Sequence, residues 1–141
     1  MPDTASGAAA LLPQLQLIQM VLGATAAHIV RAAVELKIAD QLSSGPKTAE
    51  QVAKDIGVHA PSLFRMMRTL SSFGILTQDA ENRFGLTPMG DALRVGAPGS
   101  ARSMFLTLAS SWWMRGLDEL RYSVETGKSG FEKTLGMPIF E

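Results

Sequence analysis

Between residues 11 and 30 the apolar positions fall on more than one helical face. Leu15, Ile18, Leu22, Ala26 and Ile29 follow the three- and four-residue spacing of one stripe, and Leu17, Met20, Val21 and Ala24 supply a second. The pattern predicts a long helix over residues 13–36, with Pro13 in the first turn, where its missing N–H removes no helical bond. A helix apolar on nearly every side must be covered on nearly every side, and 141 residues leave little else to cover it. A second copy of the chain is therefore expected to contribute, with Leu15, Ile18, Leu22 and Ile29 as dimer-interface residues. Charge returns only at Arg31 and Glu35, four apart and placed to pair on a solvated face.

The period then shortens. After a short helix over residues 38–42 and the loop Ser43-Ser44-Gly45-Pro46, Thr48 with Gln51 forms a capping box for a helix over residues 49–56, which Gly57 ends. Ala60 and Pro61 open the next helix, with Leu63, Met67, Leu70 and Phe73 toward the core and Gly74 closing it. Residues 75–77 and 83–86 read as short strands around the turn Gln78-Asp79-Ala80-Glu81-Asn82, and Thr87-Pro88 caps a further short helix. Helix, turn, helix, hairpin and helix in that order make a winged helix-turn-helix. The fold class expected is mainly α, with a small β-hairpin wing and extra N- and C-terminal dimerisation helices.

A loop at Gly96, Pro98 and Gly99 precedes a renewed helical pattern. Met104, Leu108 and Trp112 recur every four residues, which on one helix would put them on one face, with Phe105 and Trp113 beside it. Gly127 and Gly130 interrupt the pattern, and residues 131–135 suggest a last turn. The expected division is a disordered stretch over residues 1–10, a dimerisation helix with a winged-helix domain over 11–99, and a helical segment over 100–141.

Charge bears on what the winged helix does. From Thr48 to Gly90 the bases Lys54, Arg65, Arg68 and Arg83 are matched by Glu50, Asp55, Asp79 and Glu81. Four charges of each sign build no positive field for phosphates, and the first turns of the would-be recognition helix offer few base-edge donors. A small DNA-binding regulator is thus the weaker alternative. Pro13, Gln14, Gln16, Gln19 and His28 interrupt the first helix as a membrane span, and the only early charge, Asp3, is the wrong sign for a signal peptide. A cytoplasmic protein is expected, with neither membrane nor specific nucleic acid as partner.

Candidate chemistry is sparse. There is no cysteine, which removes disulfides and thiolate metal sites, and no HExxH; no metal site is expected. The thirteen glycines never fall as GxG, and Gly127-Lys128-Ser129 lacks the glycine a phosphate loop needs at Tyr122. His28 and His59 read as a packed and a capping histidine before they read as bases.

The apolar first helix running into ELKIADQL, the winged helix ending in FGLTPMGDAL and the stretch LRYSVETGKSGFEKTLGMPIFE together resemble the N-terminal dimerisation domain of small-molecule O-methyltransferases. These are S-adenosylmethionine-dependent enzymes of plant phenolic and bacterial polyketide or carotenoid pathways. The resemblance implies interlocked N-terminal helices of two subunits and a winged helix without a nucleic-acid role. It also implies a following Rossmann-like domain, with a glycine-rich donor loop and a His base, that performs methyl transfer. None of those motifs occurs in the chain, so no catalytic and no cofactor-binding residue is assigned; the catalytic part is expected on another segment or chain. S-adenosylmethionine is expected only in the complete enzyme, with a small aromatic or polyketide-like hydroxyl acceptor. The resemblance assigns Met104, Phe105, Leu108 and Trp112 to the wall of the acceptor pocket, making the chain a dimerisation and substrate-lid module.

Overall fold

A computed structural model describes residues 12–138; the expected disorder of residues 1–10 lies outside them. The N-terminal helix α1 (Pro13–Glu35) starts with Pro13 at its first position. It ends where Lys37 takes a left-handed φ of 55° and turns the chain into α2 (Ile38–Gln41). Strand β1 (Lys47–Thr48) leads into α3 (Ala49–Ile56) and α4 (Ala60–Ser72). The wing is β2 (Leu76–Gln78) and β3 (Arg83–Leu86), followed by α5 (Pro88–Asp91).

The caps form as local chemistry dictates. Thr48 accepts a bond from the backbone N–H of Gln51, whose side chain in return accepts from the N–H of Thr48, and Thr87 caps α5 through Gly90. Gly57 closes α3 with a φ of 71°, a conformation that a Cβ would disfavour.

The sheet contains one strand more than the pattern predicts. Its order is β1-β3-β2, all antiparallel, with Lys47 opposite Phe84 and Thr48 opposite Arg83. An N-cap residue must have extended backbone, and Thr48 therefore serves both as the cap of α3 and as the end of β1. Two residues are too few for alternation to show in a sequence.

The core lies between the last turns of α1, the α3–α4 pair and the sheet, and includes Val34, Ile38, Val52, Leu63, Met67, Leu70, Leu76 and Phe84. Phe84 on the central strand packs edge-on against Phe64, ring centroids 5.9 Å apart. Phe73 departs from the expected core face. As the C-cap of α4 it swings outward and is 37% exposed, beside α1.

Beyond the loop the expected helical run is three helices, α6 (Arg102–Leu108), α7 (Ser111–Asp118) and α8 (Leu120–Thr126), and the expected last turn is α9 (Gly130–Leu135). Ser110 ends one helical run and caps the next, its side chain accepting from the N–H of Trp113. Helix α6 packs through Phe105 and Leu106 on the core, whereas α7 and α9 pack on each other.

Candidate functional site

One subunit covers only the end of α1. Val30, Ala33 and Val34 are buried, whereas every residue from 12 to 25 is exposed, Met20 to 74%. Of the expected interface residues, Leu15, Ile18 and Leu22 stand in solvent, and Ile29 packs partly against the chain's own core. His28, read as packed, is exposed, its Nδ1 2.8 Å from the carbonyl of Ala24. By length and composition α1 could cross a membrane, and 17% of its most apolar window is buried.

Beside this helix runs an apolar trough of about 480 Å³, floored by Gly23, Ala26, Ala27 and Val30 and walled by Phe73, Met89, Leu93 and Phe105. Ala27, Ala101 and Phe105 also line a second hollow, of about 200 Å³, completed by Met104, Leu108, Ala109 and Met114. Three of the four expected wall residues, Met104, Phe105 and Leu108, thus share one hollow. Trp112 is not among its lining. The break at Ser110 moves Trp112 onto α7, where it meets Trp113 edge-on at 5.6 Å, both rings half-buried. Met114, Ala101 and Ala27 were missed by sequence reasoning. Ser110 as an N-cap was the available signal for Met114, whereas Ala27 lies on a distant helix and left none.

Two arginines hold α6 against α1. Arg102 donates to the carbonyl of Val34 at 2.7 Å, and Arg31, ion-paired with Glu35 at 2.8 Å, donates to the carbonyl of Ala109 at 3.1 Å. Each helix end leaves carbonyls without intrahelical partners, and a cation there is favourable. Charge-assisted bonds of this kind contribute about 1.5–3 kcal/mol. Arg102→Ala is expected to lower stability by about 1.5 kcal/mol in urea titration, the low end because the site is only partly buried. No change would mean that water replaces the bond.

The last helices close on two glycines. A methyl group at Gly116 would overlap the ring of Phe131, and one at Gly130 would sit 2.8 Å from the Cβ of Glu119. Phe131 also packs on Trp113, ring centroids 5.0 Å apart. Gly116→Ala should therefore displace Phe131, cost about 1–3 kcal/mol and shift tryptophan emission to the red. An unchanged spectrum would show that the crossing can relax.

Charge on the wing is spent internally. Arg83 pairs with Asp79 at 2.9 Å and reaches Glu81 at 3.5 Å. The backbone N–H of Arg83, with its guanidinium and the N–H of Glu81, holds the Asp79 carboxyl below the ordinary carboxylate range. The stabilisation is present above the ordinary aspartate pKa and is lost as pH falls through the lowered value. His59 occupies the N-cap position of α4, and its ring faces the Ser62 hydroxyl at 2.9 Å rather than a backbone N–H. Among the described residues no cluster of three His, Asp or Glu could hold a metal ion.

A sequence profile of the O-methyltransferase dimerisation domain matches residues 18–96, more than half of the chain. Phenazine O-methyltransferase PhzM of Lysobacter antibioticus is 35% identical over 124 residues, 88% of this chain and 36% of that protein. The 2,7-dihydroxy-5-methyl-1-naphthoate 7-O-methyltransferase of Streptomyces carzinostaticus is 34% identical over 113 residues, 79% of this chain and 34% of that protein. Among solved structures, the 8-amino-8-demethyl-D-riboflavin dimethyltransferase RosA of Streptomyces davawensis superposes with a TM-score of 0.82 at 29% identity, covering 92% of this chain and 38% of that one. The chain belongs to the small-molecule, S-adenosylmethionine-dependent O-methyltransferases, as their dimerisation domain. It spans about a third of the length of the curated relatives it matches.

S-adenosylmethionine presents a sulfonium, an amino-acid head group and ribose hydroxyls. The trough and the hollow are lined by aliphatic and aromatic side chains and glycine, and no GxG loop occurs in the sequence. These residues do not fit that donor.

Proposed function

We propose that this chain forms a homodimer through α1 and lines part of the acceptor pocket of an O-methyltransferase, with donor binding and methyl transfer residing in other residues of the complete enzyme. The observation that carries the first half is the bare N-terminal half of α1 beside a trough of matching apolar character. Burying Leu15, Leu17, Ile18, Val21 and Leu22 on a second copy satisfies both surfaces, without a membrane and in the cytoplasm. The division of labour follows the chain: residues 11–99 assemble the dimer, and residues 100–141 lead toward the catalytic domain.

The acceptor is a small aromatic hydroxyl compound. The hollow formed by Met104, Phe105 and Leu108 is apolar and suits a flat ring. Two of the three relatives named above are O-methyltransferases of phenazine and naphthoate acceptors, and the third is named for an amino-riboflavin, also a flat ring system. Trp112 stands on the next helix and is no longer proposed as part of that wall.

Multi-angle light scattering tests the assembly: a dimer is expected at micromolar concentration, and a folded monomer would refute it. Calorimetry with S-adenosylmethionine tests the division of labour. No saturable isotherm is expected from the 141-residue chain, and one would overturn the assignment of donor binding to other residues.

A further inference from the structure

The outer face of α4 does not line the trough beside α1. Arg65, Arg68, Thr69 and Ser72 line an open polar cavity there, about 360 Å³ in volume, with no carboxylate in its wall. Elsewhere the guanidinium groups are occupied: Arg31, Arg83, Arg94 and Arg121 each pair with a carboxylate, and Arg102 with a carbonyl. Among the described residues Arg65, Arg68 and Arg115 have neither kind of partner.

The two arginines of α4 are nevertheless held in place. Arg68 lies over the ring of Phe64, 5.9 Å from its centroid. Arg65 donates to the Ser62 hydroxyl at 3.3 Å, and that hydroxyl faces His59 at 2.9 Å. Phe64 in turn packs on the core, so one of the two anchors is rigid. Guanidinium groups ordered before binding lose less entropy when they take a ligand, and their planar forks match carboxylates. The hydroxyls of Thr69 and Ser72 donate to the carbonyls of Arg65 and Thr69, so toward the cavity they offer acceptor lone pairs. A partner that brings a carboxylate with N–H donors beside it fits this set, and a protein segment is such a partner. A phosphate backbone carries acceptors alone, and the wing's carboxylates stand on the same winged helix.

We propose that the outer face of α4, centred on Arg65 and Arg68, is a docking surface for an acidic protein segment. None of its residues lines the trough beside α1, and its test reads a different face of the molecule. The probe is a fluorescein-labelled peptide of four aspartates, titrated at low salt, with side-chain Nε–H signals of the arginines followed by NMR. Saturable binding is expected, with shifts at Arg65 and Arg68 and none at Arg115 or Arg121. Arg65→Ala with Arg68→Ala should weaken binding at least tenfold, with an unchanged circular dichroism spectrum because both side chains are exposed. Arg65→Lys with Arg68→Lys keeps the charge, loses the fork and should weaken it several-fold. Shifts spread evenly over all exposed arginines, or no saturation, would overturn the proposal. So would an unlabelled DNA duplex that displaces the peptide at a tenth of the concentration of unlabelled peptide.

Discussion

Ile18→Asp combined with Leu22→Asp is expected to turn the dimer into a monomer that keeps its helical spectrum. In one subunit Ile18 is 52% and Leu22 55% exposed, so about half of each side chain remains to be buried on assembly. Half of a fully buried aliphatic side chain contributes about 1 kcal/mol, and two such residues on each of two subunits total about 4 kcal/mol. That corresponds to a dissociation constant about a thousandfold weaker. Burying carboxylates in their place adds to the loss. Sedimentation equilibrium against concentration measures the shift directly. Val124→Asp is the comparison variant, since Val124 is apolar and 86% exposed but lies on α8, in the segment after residue 99, rather than on α1. If the double variant stays dimeric, α1 is not the interface; if Val124→Asp dissociates as well, α8 shares the interface with it.

Phe84→Ala should cost about 3–5 kcal/mol, the range for removing a buried aromatic side chain. Phe84 is wholly buried on the central strand, contacts Phe64 and pairs across to both edge strands. Domains of this size hold about 5–15 kcal/mol in all, so the variant is left near the edge of folding. The midpoint in urea reads the change. Met67→Leu, equally buried but close in volume, should cost less than about 1.5 kcal/mol. A loss below about 1 kcal/mol for Phe84→Ala would mean that the small sheet is not the floor of the core. Because α4 packs on β2 and the end of α1 packs on α4, the trough should open along with it.

Both variants probe features that differ in how far a sequence can show them. The winged helix was legible because its signals are local. A capping box needs only Thr48 and Gln51, a helix stop only Gly57, and an N-cap only Thr87, all within a turn of the groups they satisfy. The apolar excess of α1 was legible too, since two apolar stripes within 15 residues outrun what a small domain can cover. The division of the last segment was harder. Ser110 breaks an otherwise continuous period, and four-residue spacing alone placed Trp112 with Met104 and Leu108.

By itself, then, the sequence determined the order of elements as far as α5, apart from the short β1, the caps, the balance of charge across the winged helix and the presence of a first helix with more apolar faces than one small domain covers. Each follows from neighbours along the chain or from composition. Only the tertiary structure decided that Thr48 also extends the sheet, that Phe73 leaves the core for the trough, and that Ala27 and Met114 complete a hollow with Phe105. It likewise decided that Arg102 and Arg31 bridge to carbonyls 68 and 78 residues away. These depend on where separate elements come to lie against one another. That is set by packing of the whole core, which no local period records.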